Sequence, residues 1–274
     1  MKGIELAARF SYITNSLEYC GPKEASRQIE EYILKKDNEK YLRKSLSRFE
    51  GMYPYLKAIA DKNGKDPFDY DVVEAYWIGN SLLDSFNDAD IKKLILSLIQ
   101  RGLPKSIGNK LTEELPSGFK PHHSFNVFYV GVGRITGSVE TTLKNMNKCR
   151  INYGKVVNFK MSETSIRNLP ASARSKKAVS EHAQEHAPCY STSVLDKNKI
   201  LIKTKNIIKK NDKYSFSKDE LRTISFIPKL IKNIKKNDFV AVHWDFALVK
   251  LTSKQIKNID KYTEETLKIM NGLL

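Results

Sequence analysis

The sequence predicts an α+β fold: a mainly helical part over residues 1–147, then a small β-barrel with a terminal helix over 148–274. Three observations carry this. Apolar residues recur at three- and four-residue spacing through most of the first part, as on one face of a helix. Beyond residue 148 short β-branched and alternating runs replace them. Charge divides at the same point. Residues 1–147 hold 21 Lys and Arg against 19 Asp and Glu, whereas 148–274 hold 26 against 12, so the net +16 belongs almost wholly to the second part.

Taken in order, Ala25, Ile29, Ile33 and Leu34 predict a helix over 24–36, following Gly21-Pro22. Shorter helices are expected over 41–48 and 53–61, separated by Gly51 and Pro54, then over 71–86 and 88–101. Helical character stops near Gly102 and Pro104. The stretch FKPHHSFNVFYVGV alternates in a manner closer to a strand, and 136–147 predicts one more helix running up to Cys149. In the second part, strands are expected over 150–160, 199–209 and 239–251, the last nearly continuous in apolar residues. Residues 161–187, rich in Ser, Ala, Arg and Glu, read as an exposed insertion. The helix over 253–273 opens on Thr252 or Ser253 as N-cap and carries Ile256, Ile259, Tyr262, Leu267 and Met270.

Composition bounds the function. The chain is 41% hydrophobic and 28% charged, values of a globular protein. The start, Met1-Lys2-Gly3-Ile4-Glu5, turns polar too early for a secretory signal. The apolar stretch Ile95–Ile99 is short and flanked by Lys92, Lys93 and Arg101, which argues against a membrane span. Three cysteines, Cys20, Cys149 and Cys189, form no close pair, which points to a reducing cytoplasm rather than a disulfide framework. The basic second part implies either an acidic partner or a source that favours lysine codons.

Two separated pieces of the second part match a known pattern. CRINYGKVV (149–157) has a cysteine, a few residues, then Gly-Lys-Val leading into a strand. About eighty residues later comes FIPKLIKNIKKNDFVAVHWDFALVKLTSKQ, with Asn237-Asp238-Phe239-Val240, His243, Phe246-Ala247 and a helix from Thr252. Together these resemble the opening and close of HypC-type hydrogenase maturation chaperones. The resemblance implies an OB-like barrel that handles an iron–cyanide–carbonyl fragment through Cys149 and His243 and binds the hydrogenase large subunit or a maturation factor. Thiolate and imidazole are a donor pair suited to low-spin Fe(II). The sequence departs from the family in placing a whole N-terminal part before the cysteine and Trp244-Asp245 after the histidine.

Two further residues join the metal-ligand candidates. Cys20 precedes Gly21-Pro22 ahead of a helix, where backbone N–H groups and the helix dipole would favour thiolate. His122 and His123 are adjacent, so on a strand they face opposite sides and at most one, taken as His123, enters a site. His182, His186 and Cys189 form an HxxxHxxC pattern within the insertion. Tyr76 and Trp77 have the spacing of core packing, and GVGRITG (131–137) lacks the lysine of a phosphate loop. Two other functions compete. A basic OB-like barrel binds single-stranded nucleic acid through stacking aromatics, here Tyr190, Tyr214, Phe216 and Trp244. Alternatively the first part is an enzyme with Cys20 as nucleophile and His122 or His123 as base.

Overall fold

The computed structural model describes residues 1–160 and 198–272. Nine helices lead, among the described residues, into the barrel: α1 (Gly3–Ser16), α2 (Ala25–Lys35), α3 (Glu39–Leu46), α4 (Tyr53–Asn63), α5 (Tyr70–Trp77), α6 (Asp88–Ile99), α7 (Lys105–Glu113), α8 (His123–Phe125) and α9 (Leu143–Cys149). A 3₁₀ turn (Ser81–Ser85) follows α5, and a π-helix (Asn126–Gly131) extends α8. Strands β1 (Asn152–Lys160), β2 (Asn198–Thr204), β5 (Glu220–Phe226), β6 (Phe239–His243) and β7 (Phe246–Lys250) close a five-stranded barrel in the order β1-β2-β5-β7-β6. Strands β3 (Ile207–Lys210) and β4 (Lys213–Phe216) form a separate ribbon, and α10 (Ser253–Met270) ends the chain. The fold is therefore α+β, with a helical N-terminal part, an OB-like barrel and a C-terminal helix.

The barrel follows from period-two patterning. Val156, Ile200, Ile202, Ile224, Phe226, Val240, Val242 and Ala247 fill its interior. On β6 the alternate residues Ala241 and His243 face outward, yet both are buried, because the helical part packs against that face. A strand covered on both sides reads as a continuous apolar run, which is why 239–251 shows so little alternation. That run is in fact a hairpin. Trp244 and Asp245 have φ of 49° and 64°, the two left-handed positions of a type I′ turn. At β1 the barrel is tight: a Cβ on Gly154 would lie 2.4 Å from the Ile202 side chain.

Several expectations are corrected. FKPHHSFNVFYVGV forms α8 and the π-helix, not a strand. Phe125, Val127, Phe128 and Val130 are all buried, and a segment buried on nearly every side has no diagnostic periodicity. The helix expected over 136–147 starts later, at Leu143, where Thr142 accepts the Asn145 N–H, and it takes in Cys149. Cys149 thus ends a helix instead of opening a strand. The strand expected over 199–209 is divided between β2 and β3, which lie in different sheets. Helices α1 and α7 have no counterpart among the predicted elements. The insertion over 161–187, with His182 and His186, lies outside the described residues, as do Cys189 and Tyr190 after it.

Helix α10 binds the helical part to the barrel. A capping box between Thr252 and Gln255 starts it. Its buried face carries Ile259, Tyr262, Thr263, Thr266, Leu267 and Ile269. Tyr262 donates to the Asn80 carbonyl at 2.8 Å, Asn258 to the Gly79 carbonyl at 2.7 Å, and Gln255 to Glu74 at 2.8 Å. On the barrel side Tyr153 donates to Asp260 at 2.7 Å. Gly79 permits this approach: its φ is +97°, and a Cβ there would lie 2.1 Å from the Tyr262 ring. Gly79→Ala combines backbone strain with a clash in a packed core, so we expect a loss of about 3 kcal/mol or more, read by denaturant unfolding. Loss below about 1 kcal/mol would show that α10 is not held there.

Candidate metal centre

Three side chains from three distant parts of the chain meet where the helical part abuts β6. The ligand atoms of His123, Cys149 and His243 all lie within 4.8 Å of one another, and all three residues are buried. His122 caps α8, its Nδ1 accepting the Ser124 N–H and lying 2.7 Å from the Ser124 hydroxyl. His123, one residue on, turns the other way, with Nδ1 2.9 Å from the Tyr76 hydroxyl. Its Nε2 lies 3.8 Å from Cys149 Sγ and 2.9 Å from the Cys149 carbonyl. Cys149 is fixed by its place at the end of α9, where the Lys148 carbonyl accepts the Trp244 N–H at 2.6 Å. His243 ends β6, and its Nδ1 lies 3.1 Å from the Phe10 carbonyl.

Proton accounting fixes the imidazole tautomers. A carbonyl can only accept, so His243 donates from Nδ1 and leaves Nε2 as a bare lone pair. That Nε2 is buried and has no partner. By the same rule His123 carries its proton on Nε2, which donates to the Cys149 carbonyl at 2.9 Å and lies 3.8 Å from the Cys149 sulfur, while Nδ1 faces the Tyr76 hydroxyl, itself 2.5 Å from the Gly51 carbonyl. An ion at His123 Nε2 would displace that proton to Nδ1, where the Tyr76 oxygen can accept it. His243 thus has its outer N–H held by a backbone carbonyl and its inner nitrogen free, whereas His123 has Tyr76 at its outer nitrogen and would exchange its bond to the Cys149 carbonyl for an ion. This is the outer support that metal-ligating histidines ordinarily have.

Burial sets the protonation states. It holds His243 well below the usual imidazole range and His123 at about 4, so both rings are neutral at physiological pH. It pushes the Cys149 thiol up, as does neighbouring Cys20, and the Trp244 indole close to the sulfur opposes both. Two neutral imidazoles and one thiol make a neutral cluster. A cation entering it would displace one proton, from Cys149.

The cluster opens on a cavity of about 60 Å³ lined by Cys20, Trp77, His123, Asn126, Cys149, His243 and Trp244 among others. All four ligand candidates read from the sequence therefore reach one cavity, three as a cluster and Cys20 on the wall. Cys20 is not the activated thiolate expected of it. Helix α2 begins only at Ala25, too far along the chain for its dipole to act, and Cys20 Sγ lies 3.8 Å from Glu50. Burial first, then that carboxylate, push its pKa up to about 12. His122 takes no part: Ser124, in turn 2.7 Å from Thr266, occupies it, and its ring stacks on Tyr262. Residues that the sequence did not single out for the site include Tyr76, Trp77 and Trp244. Trp77 stands 4.5 Å from the His123 ring and 5.5 Å from that of His243. Tyr76 and Trp77 are core residues as well, so nothing in their spacing distinguished the second role.

Three of the four aromatics named for stacking on nucleic acid lie among the described residues, and each is at least half-buried. Trp244 is 6% exposed, Phe216 is half-buried beneath the Arg150 guanidinium, and Tyr214 is half-buried against α10, its N–H bonded to Asn271.

A family model matches residues 1–194 and 192–274, which between them span the whole chain. The chain belongs to DUF6390, a family of unknown function. No curated protein and no solved structure matches this DUF6390 chain. No helix among its described residues is long and apolar enough to cross a membrane.

Proposed function

We propose that this DUF6390 protein binds a transition metal through Cys149, His123 and His243, and that the metal is iron(II) carrying small ligands. In this reading the protein is a scaffold of the hydrogenase-maturation type, with a hydrogenase large subunit or a maturation factor as its partner. The observation that carries the metal reading is the convergence of two imidazole nitrogens and a thiol sulfur within 4.8 Å of one another, each histidine held at its other nitrogen by a hydrogen bond. A soft thiolate with two borderline imidazoles suits iron or zinc and disfavours magnesium or calcium. Three protein donors leave coordination positions open, which a carrier needs and a closed structural site lacks. Iron is favoured by the likeness of CRINYGKVV and the His243 segment to HypC-type chaperones. His123 supplies a ligand for which that likeness gives no counterpart, and it comes from the helical part.

The test is anaerobic purification of the full chain from a hydrogenase-competent host, followed by metal analysis and infrared spectroscopy. One iron per chain is expected, with cyanide and carbonyl stretching bands that vanish in Cys149→Ala and His243→Ala. Zinc in place of iron, with no such bands and no captured maturation partner, would remove the hydrogenase reading and leave only the metal site.

A further inference from the structure

Three buried polar atoms on residues lining the cavity have no partner: His243 Nε2, the Trp77 indole N–H and the Trp244 indole N–H. Buried polar groups are nearly always satisfied, so three on residues that line one space ask for an explanation. The first is a lone pair and suits a cation. The other two are donors: the Trp244 indole stands close enough to the Cys149 sulfur to favour its thiolate, and the Trp77 indole has no acceptor in the protein.

Charge points the same way. A divalent ion on one thiolate and two neutral imidazoles retains one net positive charge. Among the described residues no Asp or Glu lines the cavity. An uncompensated charge in an apolar, buried space is costly. One monoanion bound to the ion would cancel it and at the same time give the indoles their acceptor. The space suits a small group. Each water needs roughly 10–15 Å³ measured this way, so about 60 Å³ seats a few atoms, on a side that opens toward the exposed Thr136 and Ser138.

We propose that the open side of the metal takes one small monoanion, of halide to triatomic size, whose outer atom accepts hydrogen bonds from Trp77 and Trp244. The proposal rests on the metal reading above and adds the ligand class and two residues that select it.

Cobalt(II) as the metal and azide as the anion test it on the full chain. Cobalt alone should give the visible bands of a thiolate–imidazole site. Azide should then shift those bands saturably at one equivalent per site. Trp77→Phe and Trp244→Phe, each measured on the cobalt-loaded variant, should weaken azide binding about tenfold, the worth of one buried hydrogen bond. The cobalt spectrum before azide shows whether a variant has kept its site, and either tryptophan decides if the other fails to fold. Cobalt binding with no response to azide overturns the proposal, as does unchanged azide affinity in both variants. Absence of the cobalt spectrum itself overturns the metal reading and this proposal with it, a failure visible before any anion is added.

Discussion

Acid should unfold this protein steeply, starting below pH 6.5. His122, His123 and His243 are buried and neutral in the fold, with His122 held at about 3, His123 at about 4 and His243 well below its usual value. Burial is the leading cause at each. In the unfolded chain all three regain ordinary values near 6.5. Below that pH the unfolded state binds protons that the folded state refuses, so stability is complete above 6.5 and is lost progressively toward the folded values. Each histidine contributes a slope of about 1.4 kcal/mol per pH unit, and three together about 4. A chain with ordinary stability of about 5–15 kcal/mol has little left one to three units lower. The net charge of +16 adds repulsion in the same direction. Urea unfolding at successive pH values measures this slope. His122→Gln, away from the cluster, should reduce it by about a third. A stability that stays flat from pH 7 to 4 would mean that the histidines are hydrated in the fold.

The second large effect is on metal affinity and its coupling to folding. Cys149→Ala or His243→Ala removes one of three donors, and each should weaken Co(II) or Zn(II) by about 100-fold or more, beyond the 10- to 100-fold typical of outer-shell changes. Tyr76→Phe leaves the donors in place and removes the oxygen that orients His123, so about tenfold is expected. Because only the folded chain assembles the site, metal at about 100 times its dissociation constant should add about 2.7 kcal/mol of stability. In a protein of this size that is roughly 5–10 °C in Tm. The gain should vanish in Cys149→Ala. Equal metal-induced shifts in the parent and in both ligand variants would place the ion elsewhere.

The parts of this architecture that the sequence disclosed are those where one face is buried and the other wet. Helices α2, α4 and α6 and strand β1 show it, each within a few residues of its expected bounds. Expectation failed where burial is complete. The π-helix after His123 and the β6–β7 hairpin are enclosed on nearly every side, so neither period is visible. The hairpin turn hides further, because Trp244-Asp245 stands where Asn-Gly would announce it. For the site, Cys149 and His243 were legible through their likeness to a known pair, and His123 as one of two adjacent histidines of which at most one can enter a site. Their meeting was not legible, since it depends on how α8 and α9 lie against the outer face of β6. The supporting shell was the least visible part. Two of its members, the Phe10 and Gly51 carbonyls, belong to the backbone, and no residue type marks them.

The placement of the three ligands also bears on the order of events in the life of the chain. His123 comes from the helical part, Cys149 from the last turn before the barrel, and His243 from the barrel's penultimate strand. Closing so long a loop is entropically slow, and no fragment lacking β6 carries all three donors. An ion held by all three is therefore a certificate of completion: it can be seated only after both parts have folded and docked. A partner that recognises the loaded form would by the same contact reject immature chains.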